Sequence, residues 1–155
     1  MKRIIYLVCI HLLCSTAAQA SNLRQISSRE GISNNAILSL AQDKHGFIWV
    51  GSCDGLNMWD GERMRLFPND WGEYTPLSGN LIEEIAVTTD SLFWIRTNYG
   101  LDLFDPVAKT FTNYRDRSPN NLLYHIHDIK EYRPGELFIS SDNGMGIFKA
   151  DKGEI

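Results

Sequence analysis

The chain has 155 residues, 43% hydrophobic and 22% charged, which excludes a disordered tail and a polytopic membrane protein. Lys and Arg number 15 against 19 Asp and Glu, a net charge of −4. That balance argues against a nucleic-acid surface, which needs clustered positive charge to displace counterions.

Residues 1–20 read as a secretory signal. Lys2 and Arg3 form the basic start, Ile4 to Leu13 the apolar run, and Ala18-Gln19-Ala20 the small-residue cleavage site. The run is about half of the ~20 residues needed to cross a bilayer, so a retained anchor is not expected. Cys14 follows Leu12-Leu13, whereas lipid attachment wants a small residue just before the cysteine. Cleavage after Ala20 removes Lys2, Arg3, Cys9 and Cys14, leaving 13 positive against 19 negative residues and Cys53 as the sole cysteine. An exported chain with one cysteine has no internal disulfide, and Cys53 reads as a small, half-buried turn residue.

Next comes a lead-in, residues 21–32, in which Leu23-Arg24-Gln25-Ile26 could serve as a ring-closing strand. Four short strands follow in residues 33–67. Strand a, Ile37–Gln42, alternates apolar and polar and ends in the turn Asp43-Lys44-His45-Gly46. Strand b, Phe47–Ser52, is nearly all apolar, as expected when both sheet faces are covered. Asp54-Gly55 turns into strand c, Leu56–Asp60, and Gly61-Glu62 into strand d, Arg63–Phe67. Residues 68–77 form a non-repeating interblade loop. The pattern then recurs at 78–114 and again at 120–155, where it stops near the start of a fourth strand.

The recurrence is numerical. Trp49, Trp94 and Phe138 are 45 and 44 residues apart, as are Gly55, Gly100 and Gly144 and also Trp59, Phe104 and Phe148. Ile37, Ile82 and Ile126 keep the same step, and so do Leu40, Ile85 and Ile129. Four-stranded units repeating every ~40–50 residues mark propeller blades. The expected fold is all-β: a partial β-propeller of four-stranded antiparallel blades, about two and a half blades of a larger ring. The recurring aromatics Trp49, Trp59, Trp94, Phe104 and Phe148 are expected in its core.

The stretch Gly31-Ile32-Ser33-Asn34-Asn35, then Asp43, Gly46-Phe47-Ile48-Trp49-Val50-Gly51 and Gly55-Leu56-Asn57-Met58-Trp59-Asp60, resembles the two-component regulator propeller repeat. Unit two departs at Arg96, where the family has Gly, and unit three at Phe138, Ser140 and Lys149. The Trp-Asp repeat family fits less well, because its upstream Gly-His pair is missing. The resemblance implies the N-terminal, periplasmic sensor region of a hybrid two-component histidine kinase of the kind found in gut Bacteroidota. It further implies a glycan-derived ligand, homodimerisation, further blades downstream and an inner-membrane anchor in the parent. The kinase segments are absent from these residues, and the resemblance carries over no catalytic residue and no cofactor. A fragment of a secreted propeller enzyme acting on polysaccharides is the alternative.

Strand reversal puts the b–c turns and the interblade links on one face. Trp71 and Tyr74 of the loop, with Asn98 and Tyr99 of the second b–c turn, are therefore the expected ligand contacts, the rings for stacking and the amide for hydrogen bonds. His125-Ile126-His127 would put two imidazoles on one strand face, half of a metal site, but no third ligand is apparent and a polar face is the simpler reading.

Overall fold

The computed structural model of the chain describes residues 23–67, 77–115 and 120–150. The signal segment lies outside them, as do Trp71 and Tyr74. A single 3-10 turn, Ser28–Glu30, is closed by reciprocal bonds between Ser27 and Glu30; every other regular element among the described residues is a strand.

The strands β1 (Ile37–Gln42), β2 (Ile48–Ser52), β3 (Gly55–Trp59) and β4 (Met64–Phe67) form one antiparallel sheet in chain order. β5 (Ile82–Val87), β6 (Phe93–Thr97), β7 (Gly100–Asp105) and β8 (Thr110–Tyr114) form the second. β9 (Ile126–Arg133), β10 (Glu136–Ser141) and β11 (Gly144–Lys149) form the third. The expected strands appear with ends shifted by a residue. Leu23–Ile26 adopts no strand, and no sheet partner for it is among the described residues; Arg24 instead lies 5.2 Å over the Trp59 ring.

Strand a does not simply alternate. β1 has a register break between Ile37 and Ser39, β5 between Ile82 and Glu84, and β9 between Ile126 and Asp128. The extra residue is Leu38, Glu83 or His127, the same place in each repeat. An inserted residue lets Ile37 and Leu40, three apart, lie on one sheet face, and it re-aims the bulged side chain.

Blades stack through apolar sheet faces. Trp49, Leu56 and Met58 of blade one meet Ile82, Ile85, Phe93, Ile95 and Phe104 of blade two. Trp94 and Leu101 of blade two meet Ile126, Ile129, Leu137, Ile139 and Phe148 of blade three. Adjacent residues of β6 thus face opposite neighbours, which is why strand b reads as an unbroken apolar run. Each fully buried large side chain contributes roughly 1.5–3 kcal/mol. Trp59 is the exception among the expected core aromatics: it is only half-buried, on the face of blade one that corresponds to the Phe104 face of blade two. Leu40 on the inner strand of blade one is 66% exposed whereas its counterparts Ile85 and Ile129 are buried. At the other end Met145 is 74% exposed where Leu56 and Leu101 are fully buried. Both ends of the described stack are faces shaped like those that neighbouring blades cover within it.

A polar clamp ties the lead-in to strand c in blades one and two. Ser33 N–H donates to Asn57 Oδ1 at 2.9 Å, and Asn57 Nδ2 donates to Ser33 Oγ at 2.9 Å. One period later Asp102 accepts from Ser78 N–H at 2.6 Å, from the Ser78 hydroxyl, and from Asn113 Nδ2 at 2.7 Å. In blade three the pair becomes Leu122 and Gly146, and a Cβ on Gly146 would come within 2.8 Å of Leu122. Apolar packing of Leu122 over a glycine thus stands where the other two blades have polar side chains.

Burial pushes the Asp102 carboxyl above its usual range, against the hydrogen bonds from Ser78 and Asn113. With the folded value raised, the folded state binds the proton more tightly. The stabilisation from that proton is full below the unfolded value of about 3.8 and fades as pH rises through the folded value. Asp102→Asn, which copies Asn57, removes this titration. Its stability relative to wild type should rise between pH 4 and pH 7, measured by urea midpoints.

Candidate functional site

Between blades two and three, on the face of the b–c turns and links, lies an open cleft of about 490 Å3. The turn Asn98-Tyr99 forms one lip and the link Leu123–His127 the other, with Glu83 and Arg96 beneath. Each blade pins its b–c turn to the residue before strand a. Cys53 N–H donates to Ala36 O at 3.0 Å, Asn98 to Leu81 O at 3.2 Å and Asp142 to His125 O at 3.3 Å. Cys53 itself is a half-buried free thiol in its turn, as its sequence context suggests.

The cleft holds an arginine where blade one has a glycine. At Gly51 in blade one, a Cβ would sit 2.7 Å from Ile82 Cγ2 and 2.8 Å from Ile82 O, so glycine lets the next inner strand come close. The equivalent in blade two is Arg96. Its guanidinium takes up that space, donating to Ile126 O at 3.0 Å, to Glu84 Oε2 at 3.1 Å and to Glu83. Burial raises the Glu84 carboxyl despite Arg96, and Asp128 nearby adds to the effect. Removing the cation would leave Glu83, Glu84 and Asp128 facing one another. Arg96→Ala should cost about 1–3 kcal/mol, discounted from the figure for fully buried pairs because the site is partly open to water. Faster hydrogen exchange in β9 is the expected readout.

At the outer lip, His125 and His127 flank one carboxylate. His125 Nδ1 is 2.9 Å from Asp142 Oδ2 and His127 Nε2 is 2.7 Å from Asp142 Oδ1. Those bonds hold the Asp142 carboxyl below its usual range. The histidines do not share a strand face as the sequence suggests. His125 precedes β9 with φ of 47°, His127 is the bulged residue, and both rings reach the one carboxylate. Both oxygens of Asp142 are engaged by rings, and no group among the described residues is arranged to hold a metal ion. The Tyr124 ring stacks on His125 with centroids 4.0 Å apart. Tyr99 is half-exposed opposite.

Of the expected contacts, Asn98 and Tyr99 line this cleft, while Trp71 and Tyr74 lie outside the described residues. Sequence reasoning passed over Tyr124, Glu83 and Asp142 as site residues. The three-residue spacing of Ile82 and Ile85 was the available sign of the bulge that aims Glu83.

A family profile described as "Two component regulator propeller" matches residues 31–54, the lead-in, β1, β2 and the first b–c turn. The match covers one repeat's lead-in and first two strands and is a similarity of that stretch. A 69-residue stretch of the chain is 35% identical to histidine kinase P4 of Formosa agariphila; it makes up 43% of this chain and 5% of that protein. Two crystal structures of extracellular domains from B. thetaiotaomicron, ascribed to hybrid two component systems, share the fold. One superposes with a TM-score of 0.71 at 24% identity and the other with 0.66 at 28%, each over 84% of this chain and 19% of the structure. The chain therefore spans about a fifth of the length of those domains and far less of the kinase. No helix among the described residues is long and apolar enough to cross a membrane.

Proposed function

We propose that the chain is part of a periplasmic sensor propeller of a hybrid two-component histidine kinase, and that the cleft between blades two and three binds a glycan-derived ligand. The observation that carries this is the pairing of two aromatic rings, Tyr99 and Tyr124, with the Asn98 amide across one open cleft. Rings and directional polar groups together suit polar small molecules with apolar faces. The repeat in blade one and the likeness to extracellular domains of hybrid systems support the parentage. In this reading further blades of the parent cover the open faces at Leu40 and Met145, and occupancy alters a dimer whose signal reaches transcription.

Calorimetry with a panel of neutral and acidic oligosaccharides tests the proposal. A stacked ring is worth about 1–3 kcal/mol by analogy with bases on aromatics, so Tyr99→Ala and Tyr124→Ala should each weaken binding by about 5- to 150-fold. Folded variants that bind as tightly as wild type would move the site elsewhere.

A further inference from the structure

The opposite face, which carries the a–b and c–d turns, holds a second recess of about 420 Å3 between blades one and two. Its floor is apolar: Trp49, Met58, Phe67 and Phe93. Phe47, Leu66 and Val107 form the walls, and all three are exposed, Val107 to 85%. The c–d turn of blade two is longer than that of blade one and borders the recess. β3 passes to β4 with Trp59 opposite Met64, whereas in β7 and β8 the equivalent Phe104 lies opposite Phe111, two residues farther along. The added length carries Pro106 and Val107 over the opening, pinned where Val107 N–H and Ala108 N–H donate to Asp105 Oδ1 at 2.8 and 2.9 Å.

The rim is cationic although the chain as a whole is acidic. Lys44, Arg65 and Lys109 border the recess, with His45 beside them. Neither lysine has a carboxylate within ion-pair distance among the described residues, and Arg65 has only Asp60 at 3.8 Å. The one acid in the lining, Asp43, is spent inward: its Oδ1 accepts from His45 and Phe47 N–H at 2.9 and 3.0 Å, and its Oδ2 from Trp49 Nε1 at 2.9 Å. Two of the three non-glycine residues with positive φ among the described residues, Ser91 at 70° and Lys109 at 57°, also lie here. Side chains held in that region cost energy and concentrate at ligand clamps.

We propose that this recess is a second binding site, for a small amphipathic anion whose aromatic or branched aliphatic body fills the apolar floor while its carboxylate meets Lys44, Arg65 and Lys109. It is separate from the cleft between blades two and three and does not depend on that cleft's ligand. The test uses the full chain at micromolar concentration and 4-phenylbutyrate as probe, with 4-phenylbutanol and 4-phenylbutylamine as comparators. The readout is the indole N–H resonance of Trp49, assigned by its loss in Trp49→Phe. The carboxylate should shift it saturably, the alcohol should bind at least tenfold more weakly, and the amine should not bind. Lys44→Gln combined with Lys109→Gln should weaken the carboxylate at least tenfold with an unchanged thermal midpoint, because both lysines are exposed. Leu66→Glu, which puts a negative charge on the wall, should abolish it. No saturable shift, equal binding of the three probes, or wild-type affinity in the double variant would overturn the proposal.

Discussion

Trp49→Ala is expected to lower the unfolding free energy by about 3–5 kcal/mol. The indole is 2% exposed and reaches across the blade interface. Its ring lies 4.8 Å from Phe93 and 5.4 Å from Phe104 of blade two, both edge-on, and 5.3 Å from Phe67 of its own blade. Truncation opens a cavity lined by rings that cannot collapse without separating the sheets. It also strips Asp43 of the indole donor that helps order the a–b turn. Trp49→Phe keeps most of the packing and loses only the N–H, so it should cost far less. Urea titration of both variants separates cavity from hydrogen bond.

Gly51→Val is expected to cost about 1–3 kcal/mol, from strain and not from a cavity. A Cβ there would come within 2.2 Å of Ser39 Oγ, which can rotate, but also within 2.8 Å of Ile82 O, which is backbone and cannot. The inner strands of blades one and two must then part. Hydrogen exchange should accelerate in β1 and β5 while β9 to β11 stay protected. Uniform acceleration through all three blades would show that the contact is not local.

The periodic positions were legible because one side chain does the same job in every blade. Trp49 and Trp94 both cross to the next blade, and Phe104 and Phe148 both receive them. Strand b announced itself through its unbroken apolar run, since its two faces serve two neighbours. The bulge in strand a was also written in the sequence, in Ile37 and Leu40, Ile82 and Ile85, and Ile126 and Ile129, whose spacing of three does not suit a plain strand. Elsewhere the sequence carries no local sign. Asp142 is 15 residues from His127, and only the turn between β10 and β11 brings them together. Arg96 stood out as a departure from glycine, yet its effect on the cleft depends on where Ile126 O lies, 30 residues away. Trp59 was expected in the core because its repeat partners are, but among the described residues its ring meets Arg24.

Hydrogen exchange of the folded chain, with and without a saturating oligosaccharide found by calorimetry, tests most directly that the cleft between blades two and three is the sensing site. Protection should rise at residues 97–100, 122–127 and 142–143 and nowhere on the opposite face. Protection confined to the turns around residues 43–47 and 106–109, or none near Tyr99 and Tyr124 despite binding, would contradict it.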